Sequence, residues 1–113
     1  MILSIDEIRD KIRPICEKYK IEKVWLFGSY ARGEAREDSD VDVYAESSNH
    51  VSLLDLIAFR MDLEDAVAKD VDMITRIPNE YPIFAKYVER DKVLLYDAQS
   101  EGRTDSANYR SVL

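Results

Sequence analysis

Residues 26–44 read LFGSYARGEAREDSDVDVY. The apolar run Val24-Trp25-Leu26-Phe27 has the composition of a short buried strand, from Lys23 to Phe27, and it stops abruptly at Gly28-Ser29. The chain has three glycines, and two of them, Gly28 and Gly33, bracket Ser29-Tyr30-Ala31-Arg32. A glycine at the carboxyl end of a strand lets backbone N–H groups and a neighbouring hydroxyl come close to phosphate oxygens, because no side chain obstructs them. Val41 and Val43 then alternate with Asp40 and Asp42, the period of a strand with one apolar and one acidic face. The stretch therefore predicts a strand, then a short helix or turn reaching about Glu34, then a second strand that begins with two carboxylates on one side.

Before this stretch, Ser4 and Glu7 form a capping-box pattern, and Ile5, Ile8, Ile12, Ile15 and Tyr19 recur at helical spacing. A helix from Ile5 to about Tyr19 follows, with Pro14 bending it or removing one bond. After the stretch, Ser52 and Asp55 open a second capping box, and Leu53, Leu56, Ile57, Phe59, Arg60, Leu63 and Val67 carry a mostly apolar helix. Val71 to Thr75 is a short strand, Pro78-Asn79 a turn, Tyr81 to Arg90 a helix and Lys92 to Tyr96 a last apolar strand. From Asp97 the sequence turns polar and loses its periodicity, so the expected division is a folded domain over 1–96 and a flexible tail over 97–113.

Asp40 and Asp42 point to the same side of their strand, an arrangement made costly by like-charge repulsion unless a cation is shared. Asp72, between Val71 and Met73, is again the polar residue of an apolar alternation. Three such carboxylates suit a pair of magnesium ions roughly 3.5 to 4 Å apart, with positions left open for water and substrate phosphates. Gly28-Ser29 ends its strand while Asp40 begins the next, so they share a sheet edge only if those strands run antiparallel. Asp42 and Asp72 both lie near strand starts with a helix between them, as a parallel crossover requires. The expected fold is α/β (α+β), a small mixed β-sheet packed with helices.

Several other readings fail on the residues. Gly28 to Gly33 imitates half of a P-loop, but Glu34-Ala35 stand where that motif needs Lys and Ser or Thr. An EF-hand over Asp38, Asp40 and Asp42 fails because Val43 and Asn49 replace its sixth-position Gly and twelfth-position Glu. His50 reads as a loop residue, Cys16 as a helix residue near the core, and Trp25, Phe27, Met61 and Met73 as packing. Lys11, Arg13, Lys18 and Lys20 read as a solvated face interspersed with acids. The formal net charge of −7 makes direct nucleic-acid binding a poor expectation and favours divalent cations. A composition of 46% hydrophobic and 35% charged residues is that of one soluble domain, with no apolar run long enough to span a bilayer. A single cysteine and the absence of a signal-peptide pattern make the cytoplasm the expected compartment.

Gly28-Ser29, Ala31-Arg32-Gly33, Ser39-Asp40-x-Asp42 and Asp72 together resemble the minimal nucleotidyltransferases of the DNA polymerase beta superfamily. Over most of Val24 to Tyr96 the element order matches too, and the nearest likeness is to the small antitoxins that pair with a helical HEPN toxin. That resemblance implies the nucleotidyltransferase fold and transfer of AMP from ATP to an acceptor hydroxyl, most plainly a tyrosine of a cognate HEPN toxin, with the chain acting as antitoxin. It further implies that Asp40 and Asp42 hold two Mg²⁺ ions, and that Asp72 holds the ion that activates the acceptor and could receive its proton. Gly28 and Ser29 would grip the β and γ phosphates, with Arg32 as a further phosphate contact. Two alternatives stay open: a binding module that neutralises its partner by complex formation alone, and a small-molecule or RNA nucleotidyltransferase.

Overall fold

The computed structural model describes residues 2–47, 51–75 and 82–101. The Ser4 hydroxyl accepts from the Glu7 N–H at 3.0 Å and the Glu7 carboxylate accepts from the Ser4 N–H at 2.8 Å, which starts helix α1 (Ile5–Lys18) as a complete capping box. The helix continues through Pro14, on its exposed side. Strand β1 (Ile21–Phe27) leads straight into a short helix α2 (Gly28–Arg32), and β2 (Val41–Ser47) returns beside β1. Helix α3 (Leu53–Val67), opened by Ser52 and Asp55, crosses over to β3 (Val71–Ile74). Helix α4 (Pro82–Asp91), β4 (Val93–Asp97) and the single turn α5 (Ala98–Glu101) follow.

The four strands form one sheet in the order β3-β2-β1-β4. β1 is antiparallel to β2 and β4, whereas β2 and β3, joined by α3, are parallel. This is the mixed sheet that the strand ends and the helical crossover demanded. Val41, Val43 and Ala45 of β2 and Val24 and Leu26 of β1 are buried in one core with Ile8, Ile12 and Cys16 of α1 and Phe59, Leu63 and Val67 of α3. Strand alternation sends Asp42 and Tyr44 to the opposite face.

Five boundaries or contacts differ from expectation. β1 begins two residues earlier, at Ile21, and its apolar run is not buried throughout: Trp25 turns to the second face and stacks on Tyr44, ring centroids 5.5 Å apart. Met61 does not pack; it is 54% exposed, because α3 is apolar on two sides and only one can meet α1 and the sheet. β4 runs to Asp97 and α5 follows, so secondary structure extends to Glu101, past the expected boundary at 96. Asp40 precedes the first paired residue of β2 instead of belonging to the strand. The expected turn at Pro78-Asn79, His50 and the tail beyond Glu101 lie outside the described residues. Among the described residues, no helix is long and apolar enough to cross a membrane.

Candidate active site

The site forms where three chain segments meet at one end of the sheet. Phe27, the last residue of β1, lies opposite Asp42 on one side, and Asp72 of β3 lies opposite Asp42 on the other. Gly28 has φ +76°, and a Cβ built on it would collide with Asp42 Oδ2 and sit 3.1 Å from its Cγ. The glycine is therefore required twice over, by its left-handed backbone and by the carboxylate packed against it.

Hydrogen bonds outside the sheet ladder set the carboxylate register. The Val41 N–H donates to the Asp70 carbonyl at 3.0 Å, tying the starts of β2 and β3 together. The Val71 N–H donates at 3.0 Å to Glu64 Oε2 of α3, a carboxylate that also accepts from Arg60 at 3.0 Å. The approach to Asp40 is a turn: the Arg36 N–H donates to the Ser39 hydroxyl at 2.8 Å, and the Ser39 N–H to the Arg36 carbonyl at 3.0 Å. Lys69 Nζ pins this loop by donating to the Glu37 carbonyl at 2.7 Å.

Asp42 carries the electrostatic signature of the site. Burial, then repulsion from and hydrogen bonding with Asp72, then repulsion from Asp40, push its carboxyl up to about 6, while Arg32 opposes the shift. Asp42 and Asp72 are thus brought together as expected. Asp40 is close enough for its charge to act on Asp42, yet it is exposed. Among the described residues, no three His, Cys, Asp or Glu side chains converge in ligand geometry. Asp40 lies outside the strand pairing that orients Asp42 and Asp72 and stands in solvent.

Ser29 lies half-buried in the first turn of α2, whose opening N–H groups are capped by no side chain. Gly33 closes that helix in the left-handed conformation, φ +74°. Arg32, at the end of α2, donates to Glu34 at 3.0 Å and to Asp91 of α4 at 3.1 Å. Its side chain is therefore held by two carboxylates, and it acts on Asp42 through its field. Arg90 and Arg32 in turn hold the Asp91 carboxyl below the usual carboxylate range. Glu64 and Asp91 are the supporting residues that sequence reasoning missed. Arg60 and Glu64 show only an ordinary i,i+4 pair in the sequence, and nothing local links Asp91 to Arg32.

The donor set fits hard divalent cations. Oxygen ligands are what magnesium takes, and a half-buried carboxyl raised by burial and by two neighbouring acids is relieved by a shared positive charge. Asp42 and Asp72 would hold such an ion, with Asp40 two residues away to complete the set.

An acid pair on adjacent strands, beside a glycine turn at a strand end, is an arrangement that suits phosphoryl or nucleotidyl transfer. The chain belongs to the polymerase beta nucleotidyltransferase family, whose pattern matches residues 10–101. It is 42% identical over 73 residues to MJ0435 of Methanocaldococcus jannaschii, which carries a protein adenylyltransferase name; the match covers 65% of this chain and 78% of that protein. It is 33% identical over 79 residues to the protein adenylyltransferase MntA of Thermococcus cleftensis, covering 66% and 80%. A solved minimal nucleotidyltransferase superposes with a TM-score of 0.65 at 28% identity, over 80% of this chain and 95% of that one. The fold also matches the complex of a tri-AMPylated Shewanella oneidensis HEPN toxin with its MNT antitoxin, with a TM-score of 0.60 at 18% identity, over 95% and 84% of the two chains.

Proposed function

We propose that this chain is a magnesium-dependent adenylyltransferase that moves AMP from ATP to a hydroxyl of a partner protein, a tyrosine of a HEPN-type toxin, and acts as its antitoxin. The observation that carries this reading is the register that sets Asp42 directly opposite Asp72 and against Gly28. Relatives named protein adenylyltransferases support the reaction class, and the toxin–antitoxin complexes that share the fold support the kind of acceptor.

In this reading Asp40, Asp42 and Asp72 would hold two magnesium ions, which would neutralise charge on the triphosphate and lower the pKa of the acceptor hydroxyl. Gly28 and Ser29 present backbone donors and a hydroxyl to the β and γ phosphates. Arg32 contributes positive potential across the site while anchored by Glu34 and Asp91. The acceptor oxygen forms a bond to the α-phosphorus, the bond from that phosphorus to the bridging oxygen breaks, and pyrophosphate leaves with the electron pair. Asp72 takes the acceptor proton.

The test incubates the protein with Mg²⁺, ATP labelled at the α-phosphate and lysate of its source cell, beside an Asp40→Ala/Asp42→Ala double variant. One labelled protein band, present only with the unmutated chain, is the expected result. A labelled RNA or small molecule would replace the acceptor class, and label transferred equally by the double variant would overturn the assignment of the acids.

A further inference from the structure

Helix α3 has two apolar strips. Phe59, Leu63 and Val67 are buried against α1 and the sheet. On the outward side, Leu53 is 72% exposed, Leu54 77%, Ile57 42% and Met61 54%. Their spacing, i, i+3, i+4 and i+7 or i+8, lines them up on one strip over about 12 Å of helix. A helix that is apolar on both sides belongs inside an assembly, and a contiguous exposed apolar strip of this kind marks a protein contact.

We propose that the outward strip of α3 is a docking surface for a partner protein presenting an apolar helix face rimmed by Lys and Arg. Charge decides the occupant. α3 carries Asp55, Asp62, Glu64 and Asp65 against one cation, Arg60, which is already bonded to Glu64. Asp62 is tied to the cation of Lys18 and to the Tyr19 hydroxyl, whereas exposed Asp55 accepts from the neutral Ser52 N–H, so Asp55 and exposed Asp65 set the sign of the rim. A second copy of this chain, itself at −7, would bring acid against acid, whereas a basic rim is complementary. The strip faces away from the sheet on the helical layer, and Asp42 points from the other face. Docking on α3 therefore retains a partner without covering the site. This surface stands whether or not the chain transfers AMP.

The experiment titrates the full-length protein with a fluorescent amphipathic helical peptide of leucine and lysine, and with a leucine and glutamate peptide of the same apolar face. Met61 serves as a local reporter through its rate of oxidation by hydrogen peroxide, with half-buried Met73 as the internal control. The leucine–lysine peptide is expected to bind at least about tenfold more tightly than its acidic counterpart and to slow oxidation of Met61 alone. The charge-neutral double variant Ile57→Asn/Met61→Gln should weaken binding at least about tenfold while its circular dichroism stays unchanged. Asp42→Asn should bind as the unmutated chain does. Equal binding of both peptides, undiminished binding by the double variant, or loss of binding with Asp42→Asn would overturn the proposal. So would slow oxidation of Met61 in the free chain: dependence on protein concentration would mean that a second copy occupies the strip, and independence that the chain covers it itself.

Discussion

Gly28 and Asp42 are so closely packed that a single added methyl group on the glycine would overlap the aspartate carboxylate. Gly28→Ala therefore meets both a left-handed backbone and a side-chain collision, at a cost of about 1–3 kcal/mol from the backbone alone. Gly33 has nearly the same φ, +74°, but nothing stands within 4 Å of its built Cβ. Gly33→Ala should lose only this backbone part, about 1–3 kcal/mol, in urea unfolding and keep its activity. Gly28→Ala should lose more stability and nearly all nucleotidyl transfer, and equal effects of the two substitutions would remove the carboxylate from the explanation.

Asp42 makes the site a source of instability whose sign depends on pH. Its folded-state carboxyl lies at about 6, above the ordinary value of 3.8, because burial and then Asp72 and Asp40 disfavour the charge. The native state thus holds a proton that the unfolded chain releases, so stability falls as pH rises from about 4 to about 6 and stays lower above that. Two pKa units correspond to about 3 kcal/mol; solvent access to the half-buried group reduces this to about 1 kcal/mol. Without metal, Asp42→Asn should melt about 4–8 °C higher than the unmutated protein at pH 7.5, with the gap closing towards pH 4. Adding Mg²⁺ at pH 7.5 should raise the melting temperature of the unmutated chain and leave that of Asp42→Asn unchanged. A variant no more stable than its parent at neutral pH would mean that Asp42 is not under this strain.

Asp42 and Asp72 were legible in the sequence because the two-residue period of a strand determines which face each side chain takes, and a helix between two strands requires them to be parallel. That they lie opposite one another was not, since the register shows itself in the bond of the Val41 N–H to the Asp70 carbonyl, residues far apart in the chain, and in the bond that the Val71 N–H donates to the Glu64 side chain, which no strand period announces. Asp40 shows the limit of reading alternation alone: one residue short of the first ladder pair, it shares the sequence pattern without the strand's constraint. Met61 misled for a different reason. On a helix with two apolar strips, periodicity cannot tell the one that meets the core from the one that meets water.

Glu64 gives the register a test that does not touch the reacting groups. Glu64→Ala leaves the Val71 N–H without its acceptor and Arg60 without its partner, which should cost about 1–3 kcal/mol. Glu64→Gln keeps an acceptor oxygen and should recover most of that loss. Hydrogen exchange at the Val71 amide, measured by NMR, should accelerate strongly in the alanine variant and little in the glutamine variant. If Asp72 depends on this anchor, the Mg²⁺ concentration needed for half-maximal transfer should rise in Glu64→Ala more than KM for ATP does.

Arg32 separates stability from electrostatics. Of its two partners, Glu34 is exposed, and Asp91, although its side chain is only 9% exposed, keeps its pairing with Arg90, so Arg32→Ala should lose only about 1 kcal/mol of stability. The Arg32 charge, however, is the one influence among the described residues that favours ionisation of the Asp42 carboxyl. Removing it lets burial and the neighbouring acids push that carboxyl further up, so the acidic limb of the pH–rate profile should move to higher pH. Arg32→Lys, which keeps a positive charge near the same place, should restore the limb without restoring the two-carboxylate anchorage. An unshifted limb in Arg32→Ala, with kcat/KM lowered equally at every pH, would instead assign Arg32 to direct contact with substrate phosphate.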